Sequence, residues 1–243
     1  MIGDFERIDD LQCEGLRIIQ DSRGFCFGMD AVLLAGFSRV ARGGRCLDLC
    51  CGNGVVPILM SAKNPGASFA GIEIQPAAAD LARRSVALNG LCGRIEIVCG
   101  DIRRAGEIFA PGSFDVVTAN PPYLEADGLK NDSDAKAIAR HEIACNVSDI
   151  AACAAQMLNE GGKFFLIHRP HRIVDIIFHL RKNRIEPKTI RYIQPLADRP
   201  PNMVLIAATK GGRPFCKTPS PLIIRGSDGE YTPEILEIYN GKD

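Results

Sequence analysis

Apolar and polar positions change rhythm along this chain in a regular way. From Arg45 onward, short apolar, β-branched runs alternate with segments whose apolar residues recur at helical spacing. "RCLDLC" (45–50) reads as a strand, and "VVPILMSAKN" (55–64) as a helix carrying Val56, Leu59, Met60 and Lys63, stopped by Pro65-Gly66. The same rhythm predicts strands over 68–74, 95–100, 114–119 and 163–168, with helices over 75–90, near 102–109 and over 148–162. Pro76 supplies a first helical position, Asn89-Gly90 a stop, and Ser148 an N-cap. Strand-helix alternation of this kind implies right-handed βαβ units on a mostly parallel sheet with helices on both faces. The last two strands, 188–195 and 202–210, are joined only by "LADRPP", too short for a parallel crossover, so they are expected as an antiparallel hairpin at the sheet edge. The expected fold is α/β, a doubly wound, mostly parallel seven-stranded sheet ending in that hairpin.

Residues 16–40 predict a small β-hairpin and a helix capped by Asp30, with Leu33, Leu34, Phe37 and Val40 toward the core. Residues 220–239 predict a strand, a turn at Asp228-Gly229 and a helix from Pro233. No repeat or Gly/Ser linker marks a boundary, so the chain is read as one unit: an extension (1–44) packed on a main domain (45–243).

Composition removes several classes. The chain is 46% hydrophobic and 24% charged, and no apolar run nears the roughly 18 residues of a membrane helix. "MIGDFERIDD" lacks the basic and apolar regions of a secretory signal, so a cytoplasmic protein without membrane contact is expected. The ten cysteines form no C-x-x-C pair, and Cys46, Cys99 and Cys153 sit in apolar runs, as buried reduced thiols do. His168, His171 and His179 lack metal-ligand spacing, and no metal is expected. Net charge is zero but segregated: from Lys163 to Arg225 there are thirteen Lys/Arg and three Asp/Glu. Such a basic third suits a polyanion docking on one face, or simply solvates helices.

Candidate chemistry follows from the sheet, because ligands of open α/β sheets bind beyond the carboxyl ends of the strands. Those ends carry "DLCCGNG" (48–54), Glu73, Asp101 and Asn120-Pro-Pro-Tyr123. Gly52 and Gly54 permit close backbone approach to a ligand, and Glu73, about 20 residues on, is placed to accept ribose hydroxyls. After Gly54 there is no third glycine for a pyrophosphate, and Asp48 would repel one, so a nucleoside cofactor with cationic groups fits better than a dinucleotide.

These residues resemble the class I S-adenosylmethionine-dependent methyltransferases that carry an Asn-Pro-Pro-Tyr motif. The resemblance runs from about residue 20 to the C-terminus: "CLDLCCGNG" resembles the cofactor loop, "GIEIQ" the ribose site, "CGD" the adenine site and "NPPY" the catalytic motif. It implies cofactor contacts from Phe27, Asp30, Asp48, Cys50, Gly52, Asn53, Gly54, Glu73, Ile74, Asp101, Ile102 and Asn120, and catalysis by Asn120, Pro121, Pro122 and Tyr123. Cys50-Cys51 departs from the pattern, which has glycine or another small residue there. Within the family, "RGFCFGMDAVLLAGF" (23–37), "ARHE" (139–142) and "GEYTPEILEIY" (229–239) are similar to bacterial enzymes that N6-methylate an adenine beside the anticodon of a valine tRNA.

An exocyclic amine is a weak nucleophile because its lone pair is delocalised; two fixed acceptors, the Asn120 side-chain oxygen and the Pro121 carbonyl, would draw that lone pair toward the methyl group. Tyr123 would stack an unstacked base, Arg140 and His141 would order the loop or meet substrate, and Arg181, Lys182 and Arg184 would contact RNA. The expected partner is RNA, tRNA first. A protein glutamine amide, an rRNA base and a non-catalytic RNA-binding module stand as alternatives, and oligomeric state, monomer or homodimer, is left open.

Overall fold

The computed structural model of the protein describes residues 2–24, 26–122 and 146–240. An antiparallel hairpin, β1 (Glu6–Asp10) and β2 (Arg17–Asp21), leads into helix α1 (Met29–Phe37). There follow β3 (Arg45–Leu49), α2 (Val55–Lys63), β4 (Ser68–Glu73), α3 (Pro76–Leu88), β5 (Ile95–Cys99), a short 3-10 turn, α4 (Ala105–Ile108) and β6 (Phe114–Ala119). Beyond lie α5 (Val147–Met157), β7 (Leu158–His168), α6 (Ile173–Lys182), β8 (Ile185–Gln194), β9 (Met203–Lys210), β10 (Leu222–Ile223) and α7 (Pro233–Asn240).

The sheet order is β10-β8-β9-β7-β6-β3-β4-β5, parallel throughout except for β9, which runs against both neighbours. Side chains alternate between two cores. On β7, Phe165 and Ile167 pack with Leu33, Leu34, Ile58 and Leu59 of α1 and α2, whereas Phe164 and Leu166 pack with Ile150, Met157 and Ile176 of α5 and α6. Burial on both faces is why the central strands read as near-continuous apolar runs. The hairpin is fastened to α3: Ser85 Oγ accepts from Ile19 N at 3.0 Å, and Asn89 Oδ1 from Arg17 N at 2.9 Å.

Several expectations are corrected. Among the described residues the sheet has eight strands, since the apolar pair Leu222-Ile223 extends it beside Ile193-Gln194 of β8. The N-terminal hairpin draws its first strand from Glu6–Asp10, ahead of the stretch read as the hairpin. Gly28, in extended conformation, occupies the N-cap of α1, and Asp30 lies inside the first turn. Helix α5 is capped by Asn146, whose side chain accepts from Asp149 N at 2.9 Å, rather than by Ser148. It ends at Met157, before the glycines, because buried Leu158 is taken into the sheet beside Phe114. Cys46 and Cys153 are buried thiols, but Cys99 is exposed, since it ends the edge strand β5.

Candidate active site

The turn from β3 into α2 is built from left-handed residues. Cys50, Gly52 and Gly54 have φ of 59°, 55° and 84°. Glycine adopts this region at little cost, whereas a side chain there costs on the order of 1 kcal/mol or more, so Cys50 carries strain that glycine would relieve. Its neighbour Cys51 is buried over Gly71 of β4, where an added Cβ would stand 2.7 Å from Cys51 Sγ. The bulk of Cys51 is thus accommodated by the missing side chain of residue 71. Gly54 faces α3: a Cβ there would lie 3.2 Å from Ala82 Cβ. It is a packing glycine.

Glu73 braces the next loop. Its Oε2 accepts from Gly52 N and its Oε1 from Gln75 N, each at 2.9 Å, which locks the ends of β3 and β4 together. An ionised carboxylate has about four lone-pair sites, so acceptor capacity remains for a ligand. Asp48 is 2% exposed and accepts from Thr118 Oγ1 at 2.7 Å. Burial pushes its carboxyl up to about 7; the Thr118 hydrogen bond opposes that rise and the nearby Glu73 charge reinforces it. At the end of β6, Asn120 Nδ2 donates to Asp30 Oδ2 at 3.2 Å.

A cavity of about 670 Å³ opens across these strand ends. Asp30, Asp48, Glu73, Asn120, Pro121 and Pro122 line it, together with Phe27, Cys50, Gly52, Asn53, Ile74 and Ile102. Gly54 and Asp101 are not in its wall; the Asp101 carboxylate is held by Arg103, which keeps it below its usual range. Tyr123, Arg140 and His141 lie outside the described residues. Arg181, Lys182 and Arg184 stand at the other end of the sheet, where Ile185 pairs with Lys210 and Lys163 with Thr209.

The wall residues that the sequence reading did not name include Gln20 and Arg169. Buried Gln20, on β2, accepts from Phe27 N at 2.9 Å through Oε1 and so positions the segment before α1. Arg169 follows β7, beside β6, where Ala119 pairs with Leu166. Applying the strand-end rule to the fifth strand would have found Arg169; Gln20 left no local signal.

The wall suits a cationic nucleoside cofactor. It offers two buried carboxylates, and Asn53 Nδ2 is a buried donor with no partner among the described residues, ready for an acceptor on a ligand. A doubly wound sheet with a reversed β9, carrying such a cavity at its carboxyl edge, defines a methyltransferase-type fold. Residues 29–182 match the family described as "Methyltransferase small domain", and the chain belongs to that family. It is a methyltransferase, with S-adenosylmethionine as cofactor.

The chain is 26% identical over 219 residues to a Porphyromonas gingivalis protein named tRNA1(Val) (adenine(37)-N6)-methyltransferase, covering 87% of this chain and 86% of that one. A Yersinia pseudotuberculosis protein of the same name is 28% identical over 218 residues, covering 88% and 83%. A crystal structure from Agrobacterium tumefaciens, described as a predicted O-methyltransferase, superimposes with a TM-score of 0.74 at 27% identity, covering 88% and 97%. Among the described residues no helix is long and apolar enough to cross a membrane.

Proposed function

We propose that the protein transfers a methyl group to N6 of an adenine in tRNA, beside the anticodon, and acts in the cytoplasm where tRNA is found. One observation carries this reading: Asn120, with its amide bonded to Asp30, opens a double-proline turn into the cavity that Asp48 and Glu73 also line. The names of the relatives from P. gingivalis and Y. pseudotuberculosis support the same substrate.

In this reading Glu73 and the Gly52 loop would hold the cofactor nucleoside beside Ile74 and Ile102, and Asp48 and Asn53 would take its amino-acid end. The bound cofactor supplies an electrophilic methyl on a sulfonium, a good leaving group. Asn120 Oδ1 and the Pro121 carbonyl would accept hydrogen bonds from the two N–H groups of the adenine amine, which loses one of its protons to solvent once the methyl is attached. These acceptors are fixed before reaction, and their interaction strengthens as nitrogen becomes positive, which lowers the barrier without a strong base. The consecutive prolines fix two φ angles and so hold the carbonyl in place.

The name of the A. tumefaciens structure raises transfer to oxygen as a second reading. Two hydrogen-bond acceptors side by side match an NH2 group better than a hydroxyl, which has one hydrogen to give. Incubation with labelled cofactor and total tRNA, followed by digestion to nucleosides, should place the label in N6-methyladenosine. Label in a 2′-O-methyl nucleoside or in protein would overturn the assignment.

A further inference from the structure

Eight of the thirteen basic residues between Lys163 and Arg225 gather at the end of the sheet away from the cavity, whereas Arg169 lines the cavity itself. Lys163 begins the part of β7 paired with β9, opposite Thr209, and Lys210 pairs with Ile185. The Arg184 carbonyl accepts from Gly211 N at 2.8 Å, and the Lys188 carbonyl from Lys217 N at 2.9 Å. Lys188 Nζ bonds the Arg213 carbonyl, while Arg181 and Lys182 end α6 just before Arg184. These backbone links gather eight cations at one end of the sheet. Two carboxylates stand among them: Glu186 is 3.1 Å from Arg181, and Glu160 is 4.0 Å from Lys210. The other six cations have no carboxylate partner among the described residues.

Charge alone would describe a solvated face. Two aromatic rings add a second, independent feature. Phe215, between Arg213 and Lys217, is 69% exposed, and Phe178, three residues before Arg181 on α6, is 61% exposed. Phe215 has φ of 149°, a backbone state that side chains rarely adopt and that structures keep mainly where it serves a purpose. Solvent-exposed aromatics interleaved with Lys and Arg match single-stranded or looped nucleic acid, whose phosphates pair with cations and whose unstacked bases lie on rings.

We infer that this basal field is a second docking surface for the RNA substrate, holding the phosphate backbone of the tRNA body and stacking an unpaired base on Phe215, while the reacting adenine enters the cavity at the opposite end. The inference rests on the tRNA reading. The strand segment from Lys163 to His168 separates the two ends by only about 17 Å at roughly 3.3 Å per residue, so one folded RNA can touch both. Anchoring and chemistry are then carried by different residues, and affinity for the whole tRNA exceeds that for the isolated anticodon arm.

The test compares an unmodified tRNA transcript with its anticodon stem-loop. The triple variant Lys182→Gln/Arg213→Gln/Lys217→Gln should bind the transcript about tenfold or more weakly at low salt, with a salt slope shallower by about 2, as expected for three lost phosphate contacts. Phe215→Ala should weaken it about fivefold or more with the slope unchanged. Both variants should methylate a saturating stem-loop at the wild-type rate and melt at the wild-type temperature. If wild type methylates the stem-loop but the variants bind the transcript as tightly as wild type, the docking surface is wrong and the substrate reading stands. If wild type neither binds nor methylates either RNA, both fall. Loss of binding to phosphatidylserine vesicles with tRNA binding intact would make the field a membrane contact and overturn the RNA assignment.

Discussion

Asp30 Oδ2 accepts a hydrogen bond from Asn120 Nδ2 at 3.2 Å, joining the first turn of α1 to the end of β6. A carboxamide has a donor end and an acceptor end. Tying the donor end to a carboxylate that can only accept leaves Oδ1 turned away from Asp30, which is the orientation the proposed chemistry needs. Asn120→Ala should lower single-turnover methyl transfer by about 100-fold or more, the scale seen when one preplaced transition-state contact is removed, with cofactor affinity nearly unchanged. Asp30→Ala should cost about 10-fold to 100-fold in the same rate, while Asp30→Asn, which retains an acceptor, recovers much of it. Rapid-quench assays beside calorimetric cofactor binding separate the outcomes. A variant at Asp30 that loses cofactor affinity instead of rate would make Asp30 a cofactor ligand.

Asp48 sets a pH dependence. Its carboxyl is raised by burial to about 7, so without a cation beside it the group is largely protonated below that pH. A cationic cofactor favours the charged form, and binding then releases a proton. Affinity should rise with pH by up to about tenfold per unit until near 7 and level off above. Asp48→Asn should flatten the profile, as titrations in buffers of different ionisation enthalpy would reveal.

The same shift acts on stability with the opposite sign to a salt-bridged carboxylate. The folded chain binds this proton more tightly than the unfolded chain, whose Asp titrates near 3.8, so the Asp48 contribution to unfolding free energy declines as pH rises from about 4 to about 7. Urea midpoints of Asp48→Asn, compared with wild type across that interval, should show the variant gaining relative stability toward pH 7.

Packing of Cys51 on Gly71 gives a paired test. Gly71→Ala places a methyl 2.7 Å from Cys51 Sγ and should destabilise by about 1–3 kcal/mol. Cys51→Ala opens that space, so the double variant should recover part of the loss, a coupling that a denaturation double-mutant cycle measures.

Much of the central sheet was legible because strands buried on both faces must be largely apolar, as Val116, Val117 and Ala119 and the run Phe164–Ile167 are. The first strand was not: "ERIDD" is largely exposed and, among the described residues, pairs with β2 alone, so apolar patterning carries no trace of it. The strand-end rule found Asp48, Glu73 and Asn120 because parallel strands deliver their carboxyl ends to one edge. It could not find the Asp30–Asn120 bond, which links positions far apart in sequence through tertiary packing. The charge count located the basic third but not its end of the sheet, which depends on strand direction. A glycine in the cofactor loop also reads alike whether it meets ligand or helix; Gly54 meets Ala82.

Since the two oxygens of Glu73 already clasp the amides of Gly52 and Gln75, the side chain proposed to recognise the cofactor is also a keystone of the fold. Attempts to re-tailor this enzyme for synthetic alkyl donors would loosen the whole arch by altering residue 73. Ile74, which borders the hollow and is 40% exposed, is a sounder place to carve than Ile102, which is buried in the core.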